Sequence, residues 1–99
     1  MEDQQTILFD GQELTLQWGS YAMTNHNSLQ LVTAEGEPFM TASTDVEHVE
    51  LEPDEILIKN YSQNEGILPV LIKAGIVAKP HESVSSGYVE KIDICQVIN

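Results

Sequence analysis

The sequence contains no arginine, and all four of its lysines follow residue 58. Residues 1–58 therefore carry twelve acids and no lysine or arginine, whereas residues 59–99 carry four acids and four lysines. The formal net charge is −12. A surface of this sign repels the phosphates of nucleic acids and anionic lipids. Direct binding of DNA, RNA or a membrane is therefore disfavoured, and we expect a basic protein surface as the partner.

Cysteine and long apolar runs are also scarce. Cys95 is the single cysteine, so no internal disulfide can form, as is usual in a reducing compartment. The longest uncharged apolar run, "ILPVLI", is far shorter than the roughly 20 residues that span a bilayer, and "MEDQQT" is unlike the start of a signal peptide. We expect a cytoplasmic protein with one domain over residues 1–99.

The motifs of catalysis and ligand binding are missing as well. Cys95 lies in the apolar run "IDICQVI" near Asp93, which disfavours a reactive thiolate and is typical of a core cysteine. His26, His48 and His81 are too far apart to match a known zinc spacing, and no glycine-rich phosphate loop is present. We therefore predict no enzymatic activity, no cofactor and no metal site.

The clearest structural pattern is "TILFDGQELTLQW", in which Asp10 and Gly11 separate two alternating runs. These two residue types tolerate the positive φ angles of a two-residue hairpin turn. The resulting register places Ile7 opposite Leu14 and Gln5 opposite Leu16. One face of this hairpin should then be apolar, with Ile7, Phe9, Leu14, Leu16 and Trp18, and the other should carry Thr6, Glu13 and Thr15.

Further strands are expected along the chain. "SLQLVT" and "FMTAST" predict a second hairpin, with a turn at Gly36 and with Pro38 at the start of the return strand. "DVEHVEL" reads as a strand with a bulge or bend near His48, because its apolar positions change parity there. "EILIKN" predicts a buried strand, and "SSGYVEKIDICQVIN" predicts a long last strand.

One helix is predicted over residues 63–74. Ser62 and Glu65 have the spacing of a capping box, and Gly75 is placed to end the helix in a left-handed cap. Pro69 would remove a backbone hydrogen bond from the interior of such a helix. Either the helix kinks there, or a first turn gives way to a second that begins near Leu68.

Two stretches carry a resemblance to a known family. "NYSQNEGILPVLIKAGIV", followed by "SSGYVEKIDICQVI", resembles a family of small, uncharacterised acidic proteins carried by plasmids, phages and conjugative elements. The shared pattern is S-x-N-E-G-(I/L)-L, then G-I-V, then S-G-Y-V and a cysteine. "GSYAMTNHNSLQLVTAEGEPFMTAS" is similar to the same family. In the first stretch, Pro69 stands where the family usually has a better helix former. The resemblance implies an origin on a mobile element and a role against host defence, and it implies no known activity.

The acidic segment, residues 45–55 ("DVEHVELEPDE"), is the main candidate for function. Side chains two apart on an extended strand are separated by about 6.6 Å, close to the spacing of phosphates along a nucleic-acid strand. A bulge near His48 could bring its acids, with two from the second hairpin turn, into one phosphate-like row. The predicted partner-binding residues are Glu35, Glu37, Asp45, Glu47, Glu50, Glu52, Asp54 and Glu55. The alternative is a strand face that is merely solvated.

These observations predict a single α+β domain in which an antiparallel sheet of about five to seven strands carries one α-helix on one face. Two functions remain open. The first is a non-catalytic nucleic-acid mimic that inhibits a host defence nuclease, such as a restriction or CRISPR effector. The second is an accessory module that binds its partner through an apolar or aromatic patch, for which Tyr21, Tyr61 and Tyr88 are candidates, and whose acidity serves only solubility.

Overall fold

A computed structural model describes residues 5–61, 64–87 and 89–98. Its first element is the predicted hairpin. Strands β1 (Thr6–Phe9) and β2 (Gln12–Ser20) pair antiparallel, with Ile7 opposite Leu14. Asp10 and Gly11 both have positive φ angles, 55° and 77°, as a type I′ turn requires. The turn and the register predicted from the sequence are confirmed.

The apolar face of this hairpin is buried only in part, since Phe9 is half-buried. Ile7, Leu14 and Leu16 lie in the core, whereas Trp18 keeps 40% of its surface exposed. β2 is five residues longer than β1, and Trp18 lies beyond the last residue that pairs with β1. Trp18 therefore follows the predicted alternation but is not part of the core.

The second predicted hairpin is also present. β3 (Asn27–Val32) and β4 (Pro38–Thr41) pair antiparallel and complete a four-stranded sheet in the order β1-β2-β3-β4. Gly36 has a φ of +87° in the connecting turn, and Pro38 is the first residue of β4, as expected.

The remaining strands form a second sheet, so the prediction of a single sheet is wrong. β5 (Glu55–Ile58), β6 (Glu82–Ser86) and β7 (Val89–Gln96) pair antiparallel in the order β5-β7-β6. The two sheets meet where the chain leaves β4. There the Lys59 N–H donates to the Ala42 carbonyl over 2.7 Å, and the Thr44 N–H donates to the Leu57 carbonyl over 3.1 Å. The seven strands and one helix of the described residues confirm the α+β class.

The acidic segment contributes no strand before Glu55, so the strand predicted at "DVEHVEL" is wrong. The bend expected near His48 is present, because the Val49 N–H donates to the Val46 carbonyl over 3.3 Å across Glu47 and His48. Val46 is buried, and Val49 packs beside it. The turn lets both valines face the core, which no regular strand could do at a spacing of three residues.

The helix is shorter than predicted. α1 spans Ile67–Lys73, and Pro69 is its third residue. An N–H at that position has no partner within a helix, so the proline removes no hydrogen bond. The sequence left open a helix kinked at Pro69 and a helix that begins near Leu68. The second alternative is confirmed, since α1 begins at Ile67.

Both ends of α1 are capped. The side-chain oxygen of Asn60 accepts the N–H groups of Gly66 and Leu68 over 3.1 and 3.0 Å, whereas the predicted cap Ser62 lies outside the described residues. At the other end Gly75 has a φ of +77° and donates to the Ile72 carbonyl, as the predicted left-handed cap requires.

Two apolar clusters lie on opposite faces of the second sheet. Ile56, Ile58 and Cys95 face the first cluster, which includes the four-stranded sheet and α1. Leu57, Ile92 and Ile94 face the second cluster, which is covered by Val46, Val49 and Leu51 of the acidic segment. The acidic segment therefore serves as the cover of one sheet face.

The hairpin turn can be tested with Gly11→Val. A β-branched residue at positive φ is strained by about 1–3 kcal/mol, so the variant should melt several degrees lower. Thermal unfolding followed by circular dichroism measures this shift. A melting temperature equal to that of the parent would contradict the turn.

The position of Pro69 predicts the sign of another substitution. Pro69→Ala should leave stability unchanged or lower it by about 0.5 kcal/mol, because the proline restricts the unfolded chain and breaks no helical bond. Asn60→Ala should cost about 1–2 kcal/mol through loss of the cap. Urea unfolding measures both, and a clearly more stable Pro69→Ala variant would place the proline in a helix interior.

Candidate functional site: an acidic cleft

A concave surface of the described residues lies between the loop that joins β2 to β3 (residues 21–26) and the acidic segment. It is an open cleft of about 770 Å³. We call it the acidic cleft, and its lining residues are Met23, Thr24, Asn25, His26, Asn27, Glu47, Val49, Glu50, Leu51, Glu52 and Pro53.

Carboxylates dominate the charge of this cleft. Glu47, Glu50 and Glu52 line it and are all exposed to solvent, and no lysine is among the lining residues. Among the described residues, none of these three carboxylates takes part in an ion pair. The local field therefore attracts a positively charged group, more strongly at low ionic strength.

Apolar groups lie between these carboxylates. Val49 and Leu51 are half-buried against the second apolar cluster, and Met23 on the opposite wall is 80% exposed. A methionine side chain is flexible and adapts its shape to a contacting group. The cleft thus combines anionic and apolar contact surface.

Side-chain hydrogen bonds hold the loop wall against the start of the acidic segment. Asp45 accepts a hydrogen bond from the Thr24 hydroxyl over 2.8 Å, and its same oxygen lies 3.0 Å from Nδ1 of His26. Nearby, the hydroxyls of Tyr21 and Ser43 are 2.9 Å apart. These bonds join residues about twenty positions apart in the chain, so they fix the separation of the two walls.

A second set of bonds holds the other end of the acidic segment. The side-chain amide of Asn27 donates to the carbonyl of Pro53 over 2.8 Å and to that of Glu55 over 2.9 Å. Glu55 also lies 2.6 Å from Nε2 of His81 and accepts the backbone N–H of Glu52 over 2.8 Å. The acidic segment is therefore anchored at both ends, and between them Glu47, Glu50 and Glu52 face solvent.

The structure divides the eight predicted partner-binding acids into three groups. Glu47, Glu50 and Glu52 line the acidic cleft. The second group accepts hydrogen bonds from neighbouring side chains: Asp45 from His26, Glu55 from His81, and Asp54 from the amide of Gln96. Glu35 and Glu37 lie in the turn at the far end of β3, about 17 Å from the cleft by strand length. A single regular row of all eight is not formed.

The loop wall was missed by sequence reasoning. From the sequence, residues 19–27 ("GSYAMTNHN") indicate only a polar link between the two hairpins, although Thr24, His26 and Asn27 hold the cleft together. The one available signal was the density of side chains able to form hydrogen bonds in "TNHN". Their partners lie 19 to 28 positions away, a pairing that no local pattern indicates.

The other reactive side chains are placed as core or surface groups. Cys95 is fully buried, and burial, together with the nearby charge of Asp93, raises the pKa of its thiol to about 12. Asp93 is itself buried beside Lys91, whose ammonium is 3.7 Å away. His48 is exposed, whereas His26 and His81 pair with carboxylates.

Within residues 5–61, 64–87 and 89–98, no three metal-ligating side chains come together. No helix of the same residues is long and apolar enough to cross a bilayer. Comparison with protein-family models, with curated proteins and with solved structures gives no match. Inferences about function therefore rest on the residues of the chain itself.

The environment of Cys95 predicts its reactivity. At pH 8.5 in native buffer, iodoacetamide should leave the thiol unmodified, because its raised pKa keeps it protonated and its burial blocks access. Since the folded-state pKa lies above the unfolded one, stability should be unaffected below about pH 8.5 and should fall as the pH rises toward about 12.

Mass spectrometry after alkylation, in native buffer and in urea, measures this protection. A Cys95→Ala variant, compared with the parent in alkaline unfolding, isolates the contribution of the thiol. Rapid alkylation of the folded protein would contradict the placement of Cys95.

Proposed function

We propose that this protein is a non-catalytic acidic binding protein that uses the acidic cleft to bind a basic surface of a nucleic-acid-handling protein. The observation that carries the proposal is the cleft itself, with Glu47, Glu50 and Glu52 exposed and no lysine in its lining. Charged groups arranged in this way raise the rate of encounter with an oppositely charged partner.

Inhibition of a host defence nuclease, either a restriction or a CRISPR effector, is the finer form of this proposal. It is favoured by the charge of residues 1–58, which carry twelve acids and no lysine or arginine. The resemblance to acidic proteins of mobile elements points the same way. Because the acidic segment is a loop with turns, mimicry here would depend on a cluster of carboxylates rather than on a row with the period of a phosphate backbone.

An accessory module that binds through apolar contacts is the second candidate. It is favoured by Met23, which is 80% exposed, and by the half-buried Val49 and Leu51 in the same cleft. The two candidates differ in salt dependence, because screening weakens contacts between exposed charges and leaves apolar contacts intact.

Two matched triple variants separate the cleft from general acidity. Glu47→Gln/Glu50→Gln/Glu52→Gln removes three charges from the cleft, and Glu13→Gln/Glu35→Gln/Glu37→Gln removes three exposed charges elsewhere. Both should fold with parental stability, since exposed acids that repel one another contribute little to it. Circular dichroism and thermal unfolding check this first.

Binding is then measured by immobilising each protein, applying a nuclease-treated lysate of the source cells, and eluting with a salt gradient. The parent and the control variant should retain basic nucleic-acid-handling proteins that elute as salt rises, and the cleft variant should lose them. Nucleases purified from among these proteins should be inhibited by the parent protein, and the cleft variant should no longer inhibit them. Equal retention by both variants would contradict a shaped site, and retention that persists at high salt would favour the accessory module.

A further inference from the structure

Strand β2 is longer than the strand that covers its outer edge. β1 pairs with residues 12–15 of β2, and one further bond joins the Leu16 N–H to the Gln5 carbonyl over 3.0 Å. β2 continues to Ser20, and residues 17–20 pair with β3 on their other side. Among the described residues, no strand lies beside residues 17–20 at the edge that faces β1. We call these four residues the open edge.

Backbone bonds on both sides of β2 show which groups face outward at the open edge. In an antiparallel pair, the N–H and C=O groups of alternate residues point to the same neighbouring strand. Leu16 bonds toward β1, whereas the Tyr21 N–H donates toward β3, to the His26 carbonyl, over 2.9 Å. Alternation from either bond directs the N–H and C=O groups of Trp18 and Ser20 away from β3. The open edge therefore presents the donors and acceptors with which a strand pairs.

An aromatic side chain lies at the same edge. Trp18 keeps 40% of its surface exposed, whereas Leu14 and Leu16 on the same face of β2 are buried. Residues 17–20 ("QWGS") carry no charge in a chain whose net charge is −12. Tryptophan is enriched at the energetic centres of protein interfaces because its ring buries a large apolar area. A strand added at this edge would gain backbone hydrogen bonds and would also cover the indole ring.

The charge of the molecule determines which strand is attracted to this edge. Residues 1–58 carry no lysine or arginine, and a second copy of the chain would bring another net charge of −12. Residues 21–26, which follow the open edge directly, form one wall of the acidic cleft opposite Glu47, Glu50 and Glu52. Opposite charges attract and like charges repel across an interface. A basic strand is therefore favoured over an acidic strand and over a second copy.

We propose that the open edge binds an extended, basic segment of the partner, which adds a strand beside β2 and places an apolar side chain against Trp18. In strand addition, main-chain hydrogen bonds give affinity, and the side chains on one face give specificity. Because the open edge is short, the charge of the partner segment supplies the remaining attraction. This inference rests on the proposed function for the charge of the partner, and it adds a second contact surface to the acidic cleft.

The test uses the full-length protein and three synthetic peptides. The first is acetyl-Lys-Val-Thr-Val-Lys-amide, the second is the same peptide with its three central backbone nitrogens methylated, and the third has glutamate in place of both lysines. Trp18 is the single tryptophan of the chain, so its fluorescence reports on the open edge. The first peptide should shift this emission to shorter wavelength as the ring is covered. Methylation removes the N–H donors and should weaken binding about tenfold, and the glutamate peptide should bind more weakly at low salt.

Amide hydrogen exchange, followed by NMR of the ¹⁵N-labelled protein, locates the pairing. In the free protein the N–H groups of Trp18 and Ser20 should exchange faster than those of Gln17 and Gly19, which face β3. The basic peptide should slow exchange at Trp18 and Ser20 and leave Gln17 and Gly19 nearly unchanged. The odd-numbered residues of the same segment thus serve as an internal control.

Two matched variants test the contribution of the aromatic ring. Trp18→Ala removes an exposed apolar side chain from the open edge, and Leu8→Ala removes one from β1, where 68% of the leucine surface is exposed. Circular dichroism and thermal unfolding first establish that both variants fold. Trp18→Ala should weaken binding of the basic peptide severalfold, as measured by shifts of amide signals, and Leu8→Ala should bind it like the parent.

Three results would overturn the inference. They are slow exchange at Trp18 and Ser20 in the free protein, equal affinity of the methylated and unmethylated peptides, and peptide-induced protection along β1 in place of the open edge. If Trp18→Ala loses its fold, the methylated peptide and the exchange measurements on the parent still decide the result. Failure of strand addition, with basic proteins still lost by the cleft variant, would leave the proposed function standing. Loss of their retention from the parent would overturn both.

Discussion

The fold depends on a three-stranded sheet that is apolar on both of its faces. Ile56 and Ile58 of β5 point to one side and Leu57 to the other, and all three are fully buried. A sheet with two apolar faces must be covered on both to keep water out. The four-stranded sheet and α1 cover one face, and the other is covered by a segment whose own composition is mostly acidic.

That requirement explains how so much negative charge can be concentrated in residues 45–55. The segment alternates between residues that pack inward, which are Val46, Val49 and Leu51, and acids that have no place in an apolar cluster. Three of these acids, Glu47, Glu50 and Glu52, face outward and line the acidic cleft. Hydrogen bonds to Asp45 and Glu55 at the two ends then offset the mutual repulsion of the middle. The position of the three glutamates in the cleft thus follows from the inward packing of Val46, Val49 and Leu51.

Sequence patterns predicted the elements that are determined locally. The Asp10–Gly11 turn, its register and the glycine cap at Gly75 depend on residues a few positions apart, and each was found as predicted. The division into two sheets was not predicted, because it depends on which distant strands pair, and local periodicity carries no signal for that. Strand β6, "ESVSS", was missed because an exposed edge strand needs few apolar residues. For the site, the three glutamates were named, whereas the loop wall with His26 depends on distant side-chain bonds.

The backbone bonds at Ala42 and Thr44 have a consequence for self-association. They pair one edge of β5 with residues 42–44, and the other edge strands of the two described sheets, β1, β4 and β6, have only four or five residues, those of β6 mainly small and polar. Short and polar edges are poor templates for pairing with another chain. A net charge of −12 adds repulsion between copies. Both features oppose edge-to-edge aggregation, a general hazard of small β-rich proteins.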